Sequence, residues 1–293
     1  MPELPEIETV RRNVAPLAEG RRIVSVEADG TRILKNRTPE DMRMLEGSTV
    51  TGIDRRGKAL IIRHDSGIRS VVRFGMTGQL YVCPAGDPAE KHTHIAVTFD
   101  NGSQMRFVDP RRFGAVWVFG KGEDDSCSGI GSMGPEPDSP SLNRDYLYRT
   151  LSGKSMPVKA ALMDQSVVAG LGNIWSGEAL FLAGICPLTP CSELDREDWD
   201  NLARCIARTV EFAVAQNAVT AEEYAEGKGR KYYDVDYLKV YGREGEPCTV
   251  CGTPLVSSRI CGRSSFWCPK CQPRRPRYRR PGAGRVSLYE QGG

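Results

Sequence analysis

The sequence predicts an α+β chain of several domains: an antiparallel β domain entered by one helix, then a helical domain, then a small metal-bound module. Three observations predict this. Short β-prone runs alternate with turn signals between residues 22 and 119; apolar residues recur at helical spacing between 141 and 217; and four cysteines pair as C-x2-C-x16-C-x2-C at 248–271. A chain of 293 residues has room for two modest domains and satellites.

Residues 2–18 read as the opening helix. Pro5 suits a first helical position, and Glu3, Glu6 and Glu8 favour the positive end of the helix dipole. The β-prone runs follow as Ile23–Val26, Ala59–Arg63, Ser70–Phe74, Gln79–Val82, Ile95–Phe99, Gln104–Val108 and Ala115–Phe119, with turns such as Asp65-Ser66-Gly67 between them. Such a series suits a sandwich or a barrel and bounds the first domain at 2–120. Residues 121–140, rich in Gly, Ser, Pro and acid, read as a linker. Helices are expected at roughly 143–152, 157–164, 173–182 and 195–216, the last with Leu202, Ile206 and Val210 on one face. With the polar stretch 218–236, read as a mobile loop, they form a second domain at 141–236. The cysteine module spans 237–273, and the Pro-, Arg- and Gly-rich 274–293 reads as a disordered basic tail.

Charge is unevenly placed. Residues 226–285 carry 14 Lys/Arg against 5 Asp/Glu, whereas residues 1–225 carry 26 against 31, so the overall +3 hides a basic C-terminal end. That suits a polyanionic partner or, equally, a solvated tail. No run of about 18 apolar residues occurs, and the acidic N-terminus has no apolar segment, so neither a membrane span nor a secretory signal is expected and the cytoplasm is the default location. Six of the ten cysteines (Cys83, Cys127, Cys186, Cys191, Cys205 and Cys261) show no framework, which argues for a reducing compartment. The other four, Cys248, Cys251, Cys268 and Cys271, let two C-x-x-C knuckles aim four thiolates at one ion. Such a closed shell has no open position, so one structural Zn2+ is expected, supplying folding energy that so short a module cannot bury as core. Residues 256–267 read as two short strands around Cys261-Gly262-Arg263, which puts Arg263 at a rigid tip, either as a phosphate contact or as an ordinary surface arginine.

The N-terminus has the character of a reagent. A small residue after Met1 permits removal of the methionine, which exposes Pro2 as a free secondary amine. An α-amino group has a reference pKa of about 7.7–8.0, so a useful fraction is neutral and nucleophilic near pH 7. A secondary amine condenses with an aldehyde-level carbon to give an iminium, an electron sink that acidifies the adjacent C–H. Glu3 and Glu6 stand beside it as proton donors and relays. Proline followed by glutamates is also what a helix start wants, so the motif alone leaves both readings open.

PELPEIETVRR at 2–12, RRGKAL at 55–60, FGMTGQL at 74–80, KHTHIAV at 91–97, DPRRFGA at 109–115, MGPEP at 133–137, LMDQSVVAGLGNI at 162–174, VYGREGEPC at 240–248 and GRSSFWCPKCQ at 262–272 follow one another along the chain. In that order they resemble the formamidopyrimidine-DNA glycosylases, bacterial base-excision repair enzymes for oxidised purines. The resemblance implies an N-terminal antiparallel β-sandwich with an N-terminal helix, a helix–two-turn–helix domain and a zinc-finger β-hairpin. It implies a bifunctional DNA glycosylase and AP lyase acting on double-stranded damaged DNA. Such an enzyme excises 8-oxoguanine and formamidopyrimidines through an N-terminal proline Schiff base, followed by β,δ-elimination. Pro2 is then the nucleophile at C1′ of the damaged nucleotide, Glu3 the general acid for base loss, with Glu6 beside it. Lys58 serves the β-elimination, and Arg263 the δ-elimination and phosphate. Asn173 meets backbone phosphate, and His92, Arg111 and Lys154 match positions that contact DNA. No nucleotide cofactor, no membrane and a monomer are expected, with the protein on the nucleoid through its DNA.

An enzyme working on a base in duplex DNA flips it out, and something must fill the vacancy. Met76 and Phe113 can wedge the stack while Arg111 bonds the orphaned base; read singly, Met76 and Phe113 are more often core. Lys58, in a turn after Arg-Gly, is ordinarily solvated, and His92 and His94 read as alternate residues on an exposed strand face. Trp175 stands where the resemblance leads to tyrosine, and 218–236, which shapes the pocket over the flipped base in the family, matches poorly. Two other readings stay open: an endonuclease VIII-like enzyme for oxidised pyrimidines, and a non-catalytic damaged-DNA-binding protein.

Overall fold

Helix α1 (Leu4–Ala18) starts where Glu3 and Glu6 close a capping box around Pro5. Its buried stripe of Ile7, Val10, Val14 and Ala18 recurs every three or four residues and therefore faces one way. The computed structural model describes residues 2–29, 32–230 and 237–274. Contacts divide the chain into two units, Met1–Ser132 with Val214–Asp234, and Met133–Ala213 with Val235–Gly293.

In the first unit eight strands follow α1: β1 (Ile23–Ala28), β2 (Val50–Arg56), β3 (Ala59–His64), β4 (Arg69–Arg73), β5 (Gln79–Pro84), β6 (Thr93–Phe99), β7 (Ser103–Val108) and β8 (Ala115–Phe119). They form two antiparallel sheets of order β1-β6-β7-β5 and β2-β3-β4-β8. One core joins Val97, Leu80 and Phe107 of the first sheet to Leu60, Val72 and Val116 of the second and to the α1 stripe, so the arrangement is a sandwich. The sequence reading missed β2. Its run VTGIDRR carries glycine and three charges, a poor β pattern, and it is a strand because β3 pairs with it along its length. The stretch read as a linker is tied back to β4: Arg69 donates to the Glu123 carbonyl at 3.0 Å and pairs with Asp125 at 3.2 Å.

His64, at the end of β3, is buried between the hydroxyls of Ser48 (3.3 Å) and Ser70 (3.4 Å). Burial pushes its imidazole down to about 4. The unfolded chain takes up the proton near the ordinary histidine value and the folded chain resists it, so this contribution is complete above about pH 6.5 and is lost as pH falls toward 4. Unfolding free energy is expected to drop by about 3 kcal/mol over that range through this residue. Urea titrations at pH 7 and pH 4.5 check it: His64→Gln, neutral at both, must show a smaller drop than the parent, and equal drops would refute the assignment.

The second unit holds α2 (Arg144–Leu151), capped by Asn143, then α3 (Val158–Leu162), α4 (Asn173–Leu182) and the long α5 (Arg196–Gln216). It also holds a hairpin, β9 (Val256–Ile260) and β10 (Arg263–Trp267). The two-residue turn between them has positive φ at both positions, 48° at Cys261 and 74° at Gly262, the mirror-image turn that matches strand twist.

Beyond α5 the chain rejoins the first unit. A capping box of Thr220 and Glu223 starts α6 (Ala221–Ala225) inside the stretch read as a loop. The buried Tyr224 donates its hydroxyl to the Leu80 carbonyl at 2.7 Å, and Arg230 lies 3.9 Å over the Tyr81 ring. Residues 231–236 of the expected loop and 275–293 of the expected tail lie outside the described residues. Among the described residues no helix is long and apolar enough to cross a membrane.

Candidate active site and zinc centre

Pro2, Glu3 and Glu6 come together at the start of α1. Pro2 and Glu3 are buried. The Glu3 amide donates to Glu6 Oε2 at 2.7 Å, and Asn217 Nδ2 donates to Glu6 Oε1 at 3.0 Å. Burial, and then the nearby Glu3 carboxylate, push the Glu6 carboxyl up, while these hydrogen bonds oppose the shift. One turn on, burial works against ionisation of Glu8, yet bonds from Arg11 and Arg12 hold its carboxyl below the ordinary value. Glu8 also takes Arg55 Nε at 3.3 Å, which ties the end of β2 to α1. Two residues past Arg56, Lys58 sits half-buried in a two-residue turn whose first position, Gly57, has φ 54°.

Met76, Arg111 and Phe113 are brought together by two interlocked turns. A Cβ on Gly75 would stand 2.4 Å from the Phe113 backbone, so only glycine lets the turns touch. Asp109, fully buried, is the hub: Oδ1 accepts from Thr77 Oγ1 at 2.5 Å and from the Arg111 amide at 3.2 Å, and Oδ2 accepts from the Gly114 amide at 2.7 Å. Phe113 is 56% exposed, which sets aside the core reading, and the Arg111 guanidinium lies 4.8 Å over its ring. Arg112 is held at φ 54° and His92, at the base of the loop, at φ 71°, conformations that non-glycine residues rarely keep without a packing reason. His92 accepts the Asp109 amide through its carbonyl and is partly exposed. The exposed-face expectation fails for His94, which is 2% exposed; its Nδ1 meets Asp29 Oδ2 at 2.5 Å and its Nε2 the Asp109 carbonyl at 2.9 Å. An alternation rule cannot anticipate this, because β6 packs against neighbours on both faces, as its mostly buried residues show.

In the second unit Asn173 opens α4, and its Nδ2 donates to the Ser264 carbonyl at 3.0 Å, beside Arg263. Arg263 itself is exposed on the hairpin. Lys154 is exposed in the turn after α2, where its carbonyl accepts from the Ser192 amide at 2.9 Å. Trp175 is 1% exposed and stacks at 6.2 Å on Tyr237, so the larger ring is absorbed inside. Glu178, also buried, accepts from three successive amides, Lys239, Val240 and Tyr241, at 2.9–3.0 Å. That clamp fixes to α4 the segment entering the cysteine module. Burial pushes the Glu178 carboxyl up and the three amides pull it back.

The sulfurs of Cys248, Cys251, Cys268 and Cys271 all lie within 4.8 Å of one another, with contacts of 3.4 Å (Cys251–Cys268) and 3.9 Å (Cys248–Cys271). Four thiolates at about 2.3 Å from one Zn2+ stand about 3.8 Å apart, so this set fits a tetrahedral zinc ion. Amides of Val250 and Cys271 point at Cys248 and Cys268 sulfur, as knuckles do. Burial and the crowding of the other thiols push Cys271 up, while hydrogen bonding at Thr253 draws Cys251 down to about 6; a dication resolves the conflict by favouring the thiolate form of all four. Gln272 locks the module in place, accepting from the Cys268 amide at 3.0 Å and donating to the Ile185 carbonyl at 2.8 Å.

Sequence reasoning gave no role to Asp109, Thr77, Asn217, Glu178 or Gln272 and misplaced His94. All are buried or half-buried polar groups whose partners lie elsewhere in the chain.

The profile described as formamidopyrimidine-DNA glycosylase N-terminal domain matches residues 1–116, its H2TH domain matches 133–224, and a zinc finger found in FPG and IleRS matches 245–274. The formamidopyrimidine-DNA glycosylase of Symbiobacterium thermophilum is 39% identical over 96% of this chain and 94% of its own. That of Acinetobacter baylyi is 38% identical over 93% and 98%. Among solved structures, Lactococcus lactis Fpg with abasic-site DNA matches at TM-score 0.83 and 30% identity, over 93% of this chain and 100% of that one. The same protein with DNA containing an oxidised pyrimidine matches at 0.83 and 31%, with the same coverage.

Proposed function

This chain belongs to the formamidopyrimidine-DNA glycosylase family, a family of DNA-repair glycosylases, and from that premise we propose that it excises oxidised purines from double-stranded DNA through Pro2 and cuts the strand at the abasic site left behind. The observation that carries the reading is the capping box of α1, which fixes two carboxyls within four residues of a proline whose nitrogen becomes the chain's amine. An α-amino group has a reference pKa of about 7.7–8.0, so a useful fraction of such a nitrogen is neutral and nucleophilic near pH 7.

Pro2 nitrogen attacks C1′, the glycosidic bond breaks, and its electron pair leaves with the base, which takes a proton from Glu3. Glu6 accepts the proton that the amine gives up. The C1′–O4′ bond then breaks, O4′ keeping the electron pair and taking the proton held by Glu6, and the C1′ iminium left behind acidifies the C2′ hydrogen. Lys58 serves loss of that proton with expulsion of the 3′ phosphate, and Arg263 serves the second elimination, which expels the 5′ phosphate. His92, Arg111 and Lys154 contact the DNA, and Arg263 meets phosphate. Asn173, at the start of α4, meets backbone phosphate, with one side-chain amide hydrogen given to the Ser264 carbonyl of the hairpin. Zinc takes no part in the chemistry; Cys248, Cys251, Cys268 and Cys271 hold it to keep the Arg263 hairpin rigid. The work is done in the cytoplasm, on the nucleoid.

A second reading, an oxidised-pyrimidine substrate, is favoured by the L. lactis complex with such DNA. Borohydride trapping on duplexes carrying 8-oxoguanine opposite cytosine, an oxidised pyrimidine or an abasic site separates the two. Preference for 8-oxoguanine supports the purine reading, a pyrimidine-only adduct replaces it, and no adduct from protein lacking Met1 leaves a DNA-binding protein.

Phe113→Ala tests the wedge. Filling the vacated stack offsets a few kcal/mol of unstacking, so excision from duplex DNA is expected to fall about 10- to 100-fold. Cleavage of a single-stranded abasic oligonucleotide, which has no stack to fill, stays within about twofold of the parent on the same argument. Equal losses on both substrates would count against the wedge.

A further inference from the structure

We propose that Asn217 is a positioning residue for the reaction, holding the Glu6 carboxyl ionised and aimed beside Pro2. This rests on the proposed role of Glu6 as acceptor of the Pro2 proton.

The two residues are 211 positions apart, and the fold brings them within 3.0 Å. Glu6 has two oxygens, each with a donor: Oε2 takes the Glu3 amide at 2.7 Å, within the same helix, and Oε1 takes Asn217 Nδ2. The capping bond alone fixes one oxygen; the Asn217 bond fixes the plane of the carboxyl. A proton on Oε1 would face the amide hydrogens of Asn217, so this bond favours the charged form. Asn217 is itself held from two sides. Its carbonyl accepts from Thr9 Oγ1 on α1 at 3.0 Å. Three residues on, Thr220 caps α6, which Tyr224 pins to β5. Among the described residues the Glu3 carboxylate is the charged group that acts on Glu6, joined by the Pro2 amine once Met1 is gone; from residues 214–230 the neutral amide of Asn217 reaches it. Burial and Glu3 push the Glu6 carboxyl up, and among the described residues Asn217 supplies the restraint on that shift from outside the helix.

Removing the donor therefore leaves Glu6 protonated over more of the pH range. In Asn217→Ala the acid limb of the kcat/KM profile for 8-oxoguanine excision is expected to move up by about one pH unit, which is about a tenfold loss on that limb and little loss near pH 8. Carbon-13 NMR titration of the Glu6 carboxyl in the free protein reads the same bond independently of catalysis. Upward movement of both the Glu6 titration and the acid limb supports the proposal. A Glu6 titration that does not move overturns it. If the titration moves and the acid limb does not, the role given to Glu6 is wrong and the proposal falls with it. Asn217→Asp, of the same shape, serves if the alanine variant melts early: its added carboxylate moves both readouts up, and a loss equal at every pH overturns the proposal.

Discussion

A form of the protein with one residue retained ahead of Pro2 will give no borohydride-trapped adduct with lesion-containing duplex and will cut an abasic strand at least about a thousandfold more slowly than the form lacking Met1. The reason is electronic. In the extended form the proline nitrogen is an amide whose lone pair is shared with a carbonyl, so it neither attacks C1′ nor carries the iminium charge that drives elimination. Everything else stays in place: the capping box uses the Glu3 amide and the two side chains, not the amine. The extended form should therefore bind lesion duplex with near-parental affinity, which separates loss of chemistry from loss of fold. Intact mass together with gel-resolved trapping reads both forms. An adduct of normal yield from protein whose mass shows the extra residue would remove Pro2 from the mechanism and move the search to another amine, with Lys58 first.

Withdrawing zinc is expected to have the second large effect. Metal binding in modules of this kind amounts to about 10–16 kcal/mol, more than the small apolar cluster of Phe181, Val240, Leu255 and the cysteines can replace. Chelation, or Cys268→Ser, should open the β9–β10 hairpin and release Arg263. Protease cutting within 245–274 should follow, Trp267 should lose its buried environment, and DNA affinity should fall at least about a hundredfold. The β-sandwich has its own core and should keep its melting transition. Metal analysis should give one zinc per chain. A chelated protein that keeps both the protease resistance of the module and its DNA affinity would show that the four thiols are not the hairpin's support.

Much of this protein was determined by its sequence alone. The knuckle spacing specified the metal, because two thiolates three residues apart can meet one ion whatever surrounds them. The helices α2 to α5 and seven of the eight sandwich strands followed from periodicity, a local property of which side of the chain is apolar. That Pro2, Glu3 and Glu6 stand together was legible because they are neighbours in the chain. What the tertiary structure decided is whatever depends on a partner far away. β2 is a strand because β3 pairs with it. His94 is buried where its ring meets Asp29 and the Asp109 carbonyl. Residues 214–230 belong with the sandwich because Tyr224 reaches Leu80. Asp109 gathers Met76, Arg111 and Phe113 into one place, and Asn217 reaches Glu6 from 211 positions away in the chain. Periodicity records which face of an element is apolar. It carries no record of which buried polar group will find which, and that pairing is settled when the elements pack and each such group must be satisfied.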